Sequence, residues 1–240
     1  MADAVAGRSP PSGAPSAFPW VAFALAFALL LSDFMCRQVL AAVFPYLKAD
    51  WALTDTQLGA LGSVVALTVA VLTVPLSLLG DRYGRRRAIL AMAGLWSLAT
   101  LGSAFAADYG QLLAARVLVG VGEAAYGSVG LALVLALFPT DRRATLSGAF
   151  TAGAAFGAVF GIALGGALAS RFGWRWAVGA MAVLGLVLLV LFWMLVTDDE
   201  LARHDVPDAG AAAPGARLRA PLSAALSPPA VLCAYLGNGL

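Results

Sequence analysis

Charged residues are scarce in this chain of 240 residues, where Asp, Glu, Lys and Arg together make up 12%. Soluble domains carry about 25%, so a soluble globular protein is excluded. Histidine occurs once and cysteine twice, at Cys36 and Cys233, which leaves too few ligands for a metal cluster and predicts no disulfide framework. Hydrophobic residues instead make up 61%, and the mean hydropathy is +0.88. This composition is typical of a polytopic membrane protein.

The apolar residues fall into six runs that are separated by short polar segments. Each run has at least the roughly 20 residues that a helix needs to cross a bilayer. The predicted spans are Phe18–Leu47, Leu58–Leu79, Ala88–Ala107, Tyr109–Phe138, Ala144–Ser170 and Trp174–Thr197. The sequence therefore predicts an all-α fold with six transmembrane helices in residues 18–197.

Three further segments flank the predicted bundle. Residues 1–17 are rich in Pro, Gly and Ser and lack the features of a signal peptide, which predicts a disordered tail. Residues 198–227 begin with three acidic residues and continue through Pro- and Ala-rich sequence, which is typical of a polar linker. Residues 228–240 are apolar again after two prolines, and we interpret them as the start of a truncated seventh helix.

The distribution of basic residues predicts the orientation of the chain. If the tail is cytoplasmic, ten Lys and Arg residues lie on the cytoplasmic side and three on the opposite side. Membrane proteins place their basic loops inside, so we expect the tail and the linker to be cytoplasmic. The expected location is the cell inner (plasma) membrane.

Four ionisable residues interrupt two of the apolar spans. Asp33 and Arg37 are four residues apart in the first span, and Arg116 and Glu123 are seven apart in the fourth. Each pair therefore shares one face of its helix. A charge at membrane depth costs roughly 2.5–3.5 kcal/mol on insertion scales and is seldom kept without a function. We interpret the four residues as part of a water-accessible polar pathway.

The segment between the second and third spans has the most specific local pattern, G-D-R-Y-G-R-R-R at residues 80–87. An ordinary basic loop would explain the arginines but not the D-R-x-G-R order. That order resembles the loop signature of the major facilitator superfamily of secondary transporters, although Ser77 stands where the family usually has glycine. The resemblance implies a latch between helices that helps to set the inward/outward equilibrium. Its residues here would be Asp81, Arg82, Gly84, Arg85 and Arg86.

Two further segments resemble the same superfamily. Residues 116–123 are similar to the R-x-x-x-G-x-G-E segment of its fourth helix, and G-E-A-A-Y at residues 122–126 is close to the form in spinster-like members. Residues 33–40 resemble their D-R-x-x-L pattern, except that Cys36 precedes Arg37 and the acid lies one turn back. The resemblance covers residues 18–240 and implies the N-terminal half of a twelve-helix transporter, whose missing partner is a C-terminal six-helix half.

In the resembled fold the first and fourth spans line a central cavity, so their charges could meet as Asp33 with Arg116 and Arg37 with Glu123. The hypothesis is that Glu123, or alternatively Asp33, binds a proton while the two arginines hold an anionic group of the substrate. The alternative is a pair of static salt bridges that only hold the helices together.

Glycines recur along the fifth span at a spacing similar to that of the fifth helix in proton-driven drug antiporters. These residues are Gly148, Gly157, Gly161, Gly165 and Gly166. A second interpretation is a packing face, because small residues let helices approach closely in lipid.

We therefore expect a secondary active transporter of small or amphipathic organic solutes that works by alternating access, with protons, substrate and the lipid bilayer as partners. The alternatives are a drug or metabolite proton antiporter and a non-transporting membrane scaffold. No cofactor, metal or nucleic acid is expected, and no nucleophile–base pair or cofactor loop indicates an enzyme. Symport and antiport stay open.

Overall fold

The computed structural model describes residues 17–204, apart from the side chain of Asp81. The predictions for the tail, for most of the linker and for the seventh helix lie outside the described residues. Within residues 17–204 the structure is helical without strands, and six helical segments are long and apolar enough to cross a membrane. The predicted all-α, six-span fold is therefore confirmed.

The eight helices are α1 (Phe18–Trp51), α2 (Asp55–Tyr83), α3 (Arg85–Ala104), α4 (Tyr109–Glu123), α5 (Tyr126–Leu137), α6 (Thr140–Phe172), α7 (Trp174–Leu195) and α8 (Asp198–His204). The helix α8 occupies the start of the predicted linker. Its first turn holds three acidic residues and its last turn holds Arg203 and His204, an order that suits the helix dipole. The composition of this segment did not predict the short helix.

The fourth predicted span is two helices, because regular structure stops directly after Glu123. Ala124 and Ala125 join α4 to α5. The carbonyl oxygen of Ala124 accepts a hydrogen bond from the Thr73 hydroxyl of α2 at 2.7 Å. Thr73 thus provides this carbonyl group with a hydrogen-bond partner at the point where the helix is interrupted. The break thus lies directly after an ionisable residue, near the middle of an apolar span.

Single glycines make two of the connections between helices. Gly84 alone separates α2 from α3, and Gly173 alone separates α6 from α7. Their φ angles are +94° and +89°, in a region that side-chain-bearing residues rarely adopt. Each glycine lets the chain reverse within one residue, so both helix pairs are tight hairpins.

The apolar core consists of two clusters that follow one another along the helices. On α1 the first cluster ends at Leu30 and the second begins at Met35. Between them lie the buried polar residues Ser32 and Asp33. The bundle therefore has a polar layer at mid-depth, and helices α3, α4 and α7 pass through the same layer.

Glycines on α6 bring its backbone against α1. A Cβ atom added at Gly157 would lie 2.5 Å from the Leu31 carbonyl oxygen, at Gly161 2.8 Å from the Met35 backbone, and at Gly165 2.7 Å from a methyl group of Val39. Gly148 and Gly166 have nothing within 4 Å. Gly166 follows Gly165 by one residue, so it is rotated by about 100° to another side of the helix. The packing row therefore includes only three of the five predicted glycines, and Gly153 extends it.

This row makes a prediction about stability. Gly157→Ala is expected to lower the free energy of unfolding by about 1–3 kcal/mol, because the added methyl group meets backbone that cannot rotate away. Gly166→Ala is the matched control, and it should change little because its methyl group meets open space. Unfolding in detergent micelles measures both. Equal effects of the two substitutions would contradict the packing role.

Candidate functional site

A buried ion pair connects α1 to α4 at the polar layer. The Arg37 Nη2 atom lies 2.6 Å from Glu123 Oε2. The Glu123 side chain is fully buried, whereas 30% of the Arg37 side chain is exposed. The guanidinium also lies 5.1 Å from the centre of the Phe34 ring. Arg37 therefore presents the accessible side of the pair, and the carboxylate lies behind it.

A second carboxyl group adjoins this ion pair. Asp33 is only 3% exposed, lies beside Glu123, and also interacts with the charge of Arg37. One oxygen of each carboxyl group, Asp33 Oδ1 and Glu123 Oε1, has no hydrogen-bond partner among the described residues. Two adjacent buried carboxylates repel each other when both are ionised, which favours one proton shared between them. The geometry therefore offers a site for a proton.

Arg116 interacts with the charge of Glu123 and forms no ion pair with Asp33. It is 1% exposed, and its Nη1 atom lies 3.4 Å from the Cys36 carbonyl oxygen. No ion pair joins Arg116 to Asp33 in the described part of the chain, so that predicted contact is wrong, while Arg37 and Glu123 do meet. The helices run in opposite directions, so Asp33 and Arg116 lie on opposite sides of the Arg37–Glu123 level, about 16 Å apart in helix rise.

Aromatic residues of α3 and α5 pack beside the carboxyl pair. The Tyr126 hydroxyl donates to the Ala26 carbonyl oxygen at 2.7 Å, and the Tyr126 and Trp96 rings meet edge to face at 4.9 Å. A Cβ atom at Gly122 would lie 2.6 Å from the Trp96 backbone nitrogen, so α4 and α3 touch at this level. The sequence pattern G-E-A-A-Y contained Gly122 and Tyr126 without indicating this packing.

Arg86 is the arginine of the predicted latch loop that bonds to other helices within the described part of the chain. Arg86 donates to the carbonyl oxygens of Trp193, at 3.0 Å, and Val196, and its Nη1 lies 3.3 Å from Asp198. These contacts join the start of α3 to the end of α7 and to α8. Arg82 and Arg85 are exposed, and Gly84 makes the turn.

The described residues contain no group of three or more His, Cys, Asp or Glu side chains that could hold a metal ion. The charged cluster itself consists of two acids, Asp33 and Glu123, and two arginines, Arg37 and Arg116. Such a set can bind a proton and an anionic group.

Comparison with known proteins identifies relatives over most of the chain. The sequence model of the Major Facilitator Superfamily matches residues 24–240. The chain is 31% identical over 184 residues to protein spinster homolog 1 of Homo sapiens, which covers 74% of this chain and 35% of that protein. It is 30% identical over 175 residues to protein spinster of Drosophila melanogaster, with 72% and 29% covered. The chain thus spans about a third of the length of these relatives.

Solved structures show the same fold. The crystal structure of a bacterial homolog to the human lysosomal transporter Spinster, inward-facing and unoccupied, superposes with a TM-score of 0.71 at 23% identity, covering 77% of this chain and 44% of that chain. The proton:xylose symporter XylE gives a TM-score of 0.63 at 16% identity, with 74% and 45% covered. Because the family's sequence model matches most of the chain, this protein belongs to the Major Facilitator Superfamily, and its resemblance to the spinster-like members is confirmed.

Proposed function

We propose that this chain is the N-terminal half of a proton-coupled secondary active transporter for small or amphipathic organic solutes. The observation that carries the proposal is the buried Arg37–Glu123 ion pair with Asp33 beside it. Ionisable groups inside membrane-spanning segments are costly and mark proton and substrate pathways. Alternating access between two bundles, with binding near the midplane, is the mechanism that such a half-bundle fits.

The charges of the cluster suggest how a proton and a substrate are coupled. When all four groups are ionised, the two acids and two arginines balance. A proton on the carboxyl pair leaves one excess positive charge, which an anionic group of a substrate can neutralise. Arg37 is the partly exposed arginine, so it contacts the substrate first. Arg116 is buried and contributes its positive charge from inside the bundle. Protonation of Glu123 or Asp33 thus releases an arginine for the substrate.

The static-salt-bridge alternative fits the cluster less well. A structural ion pair in a membrane interior is stable when each charged oxygen and nitrogen has a partner. Here Glu123 Oε1, Asp33 Oδ1 and two nitrogens of Arg116 have no partner among the described residues. The incomplete pairing favours groups that change partners during a cycle.

The second half of the transporter is the partner that this proposal requires. Exposed apolar side chains line α2, among them Leu67, Val71 and Val74, and α2 buries the smallest share of its apolar length among the six spans. These side chains suit contact with lipid or with a second bundle. One bundle cannot form both walls of a pathway, so this chain alone is not expected to transport. We place its N-terminus in the cytoplasm on the basis of the basic loops.

The alternatives receive less support. The close contacts of Gly157, Gly161 and Gly165 with α1 explain these glycines by packing, so they do not favour a drug antiporter. A membrane scaffold would not need an unevenly paired charge cluster. An enzymatic function has no catalytic constellation to support it among the described residues.

Substitution of the proton site tests the coupling. Glu123→Gln in the complete transporter, reconstituted in liposomes, is expected to reduce uptake driven by a pH gradient to the background level, because the amide cannot exchange a proton. Exchange of labelled for unlabelled substrate needs no net proton movement and should persist. Asp141→Asn is the control, since that side chain is 74% exposed at the start of α6. Unchanged gradient-driven uptake in Glu123→Gln would exclude the coupling role of Glu123.

The contacts of Arg86 predict a second outcome. Arg86→Ala removes charged hydrogen bonds worth about 1.5–3 kcal/mol, so amide hydrogen exchange in α8 and the last turn of α7 should accelerate roughly ten- to hundred-fold. Arg87→Ala is the matched control, because Arg87 is exposed and makes no such contact with a described residue. Equal exchange in both variants would show that Arg86 does not hold this end of the bundle.

A further inference from the structure

Two threonines of α2, Thr68 and Thr73, lie against α4 and the connection that follows it. A Cβ atom added at Gly120 of α4 would lie only 2.8 Å from the Thr68 Cβ atom, so the two helices are in close contact there. Five residues further along α2, the Thr73 hydroxyl lies 2.7 Å from the carbonyl oxygen of Ala124. Both threonines are partly buried. They are thus a matched pair of hydroxyl groups on one side of α2.

The two hydroxyl groups differ in their partners. Thr68 donates to the Val64 carbonyl oxygen of its own helix at 2.7 Å, and it makes no hydrogen bond to another helix in the described part of the chain. Thr73 has two acceptors, the Val69 carbonyl oxygen of α2 at 2.6 Å and the Ala124 carbonyl oxygen at 2.7 Å. A hydroxyl group has a single hydrogen, so Thr73 shares it between its own helix and the connection from α4 to α5.

The second acceptor of Thr73 lies at the interruption directly after Glu123. The backbone leaves the helical conformation at Ala125, where φ is −124° and ψ is 2°. The Ala125 carbonyl oxygen is bonded within the next helix, by the Val129 amide at 3.0 Å. The Ala124 carbonyl oxygen, in contrast, accepts its hydrogen bond from α2. Thr73 therefore joins a different helix to the connection that follows the proposed proton site.

The presence of two acceptors lets the interhelical bond open at low cost to the hydroxyl group. A buried hydroxyl that loses its sole partner is left with an uncompensated desolvation penalty, which opposes the loss. If α2 moves away from Ala124, the Thr73 hydroxyl keeps the Val69 carbonyl oxygen as its acceptor. The bond to Ala124 can therefore break and form again without leaving the hydroxyl group unpaired.

The helix α2 also has a surface that faces away from the charged cluster. Its exposed apolar side chains, Val74 among them, are those that we assign to contact with lipid or with the second bundle. Val74 directly follows Thr73, so a displacement of this surface displaces Thr73 as well. On the other side of the interruption, Glu123 is bonded to Arg37 of α1. A continuous series of contacts thus connects the exposed surface of α2 to the ion pair.

We propose that Thr73 is a positioning residue that links the position of α2 to the proton site. Its bond to Ala124 holds the interruption where the Glu123 carboxylate contacts Arg37, and the bond opens when α2 shifts between the inward and outward states. This role rests on the proposed proton coupling, because it connects the movement of the bundles to the carboxyl pair. Without the bond, the bundles can change state whether or not the pair carries a proton.

Hydrogen exchange tests the link without requiring transport. In the complete protein, Thr73→Val keeps the shape of the side chain but removes the hydroxyl group. Amide exchange in residues 125–129 should accelerate by about two- to ten-fold, because the connection loses a hydrogen bond to α2. Thr68→Val is the matched control, since the Thr68 hydroxyl bonds to its own helix, and it should leave this segment unchanged. Thr73→Ser keeps a hydroxyl group and should retain the original exchange rate.

Equal exchange in Thr73→Val and Thr68→Val would overturn the proposal. If Thr73→Val does not fold, Thr73→Ala removes the same hydroxyl group without adding atoms and takes its place in the comparison. Accelerated exchange in Thr73→Ser equal to that in Thr73→Val would likewise overturn it, because the hydroxyl group would then have no part in the effect.

Transport by the same variants tests the role in coupling. In liposomes, Thr73→Val should lower the substrate accumulation driven by a pH gradient several-fold, while exchange of labelled for unlabelled substrate stays at its original rate. A purely structural defect would lower both in proportion, because it reduces the amount of active protein. Thr73→Ser and Thr68→Val should both leave accumulation unchanged. Unchanged accumulation in Thr73→Val, or an equal loss of accumulation and exchange, would overturn the role of Thr73.

The result for Glu123→Gln separates this role from the proposed function. If gradient-driven uptake persists in Glu123→Gln, the proposed coupling is wrong, and the hydrogen exchange of Thr73→Val still decides whether Thr73 holds the interruption. If Glu123→Gln abolishes gradient-driven uptake but Thr73→Val does not lower accumulation, the coupling is supported and the role of Thr73 is wrong. The two failures are therefore distinguishable.

Discussion

The Arg37–Glu123 ion pair is the constraint on which the arrangement of the bundle depends. Two opposite charges at mid-depth are tolerated only if their helices hold them together and keep lipid away. The close contact of α4 with α3 at Gly122 and of α6 with α1 at Gly157 provides that enclosure. The apolar clusters on either side of the polar layer then bury the remaining helix faces. The close helix packing therefore encloses the charges, and the ion pair in turn connects α1 to α4.

The same features leave the site able to change. The helix is interrupted after Glu123, and the Ala124 carbonyl oxygen there accepts a hydrogen bond from Thr73 of a third helix. Arg37 is partly open, while Glu123 and Asp33 are buried behind it. A group that binds Arg37 therefore alters the environment of both carboxyl groups without entering the core. This asymmetry between one accessible base and two enclosed acids is what the proposed coupling uses.

The six spans could be predicted from the sequence because a bilayer sets their length and composition. The shared faces of Asp33 with Arg37 and of Arg116 with Glu123 could be predicted because helical spacing is regular. The register between helices could not, so one of two expected contacts was wrong. No proline marks the break at Ala124, so the sequence did not predict that the fourth span is two helices. Nothing in the sequence singled out Ser97 or Thr100, whose complete burial follows only from the packing of the helices.

The position of α1 has a consequence for how the protein is made. Its main partners are α6 and α7, which leave the ribosome last among the six spans, whereas the hairpins joined by Gly84 and Gly173 can close as soon as they are synthesised. Until α4 has also been inserted, α1 resides in the membrane with Asp33 and Arg37 but without Glu123. Their spacing of four residues lets them neutralise each other within one helix. The i,i+4 pair of the nascent helix thus acts as a temporary substitute for the interhelical pair of the finished bundle.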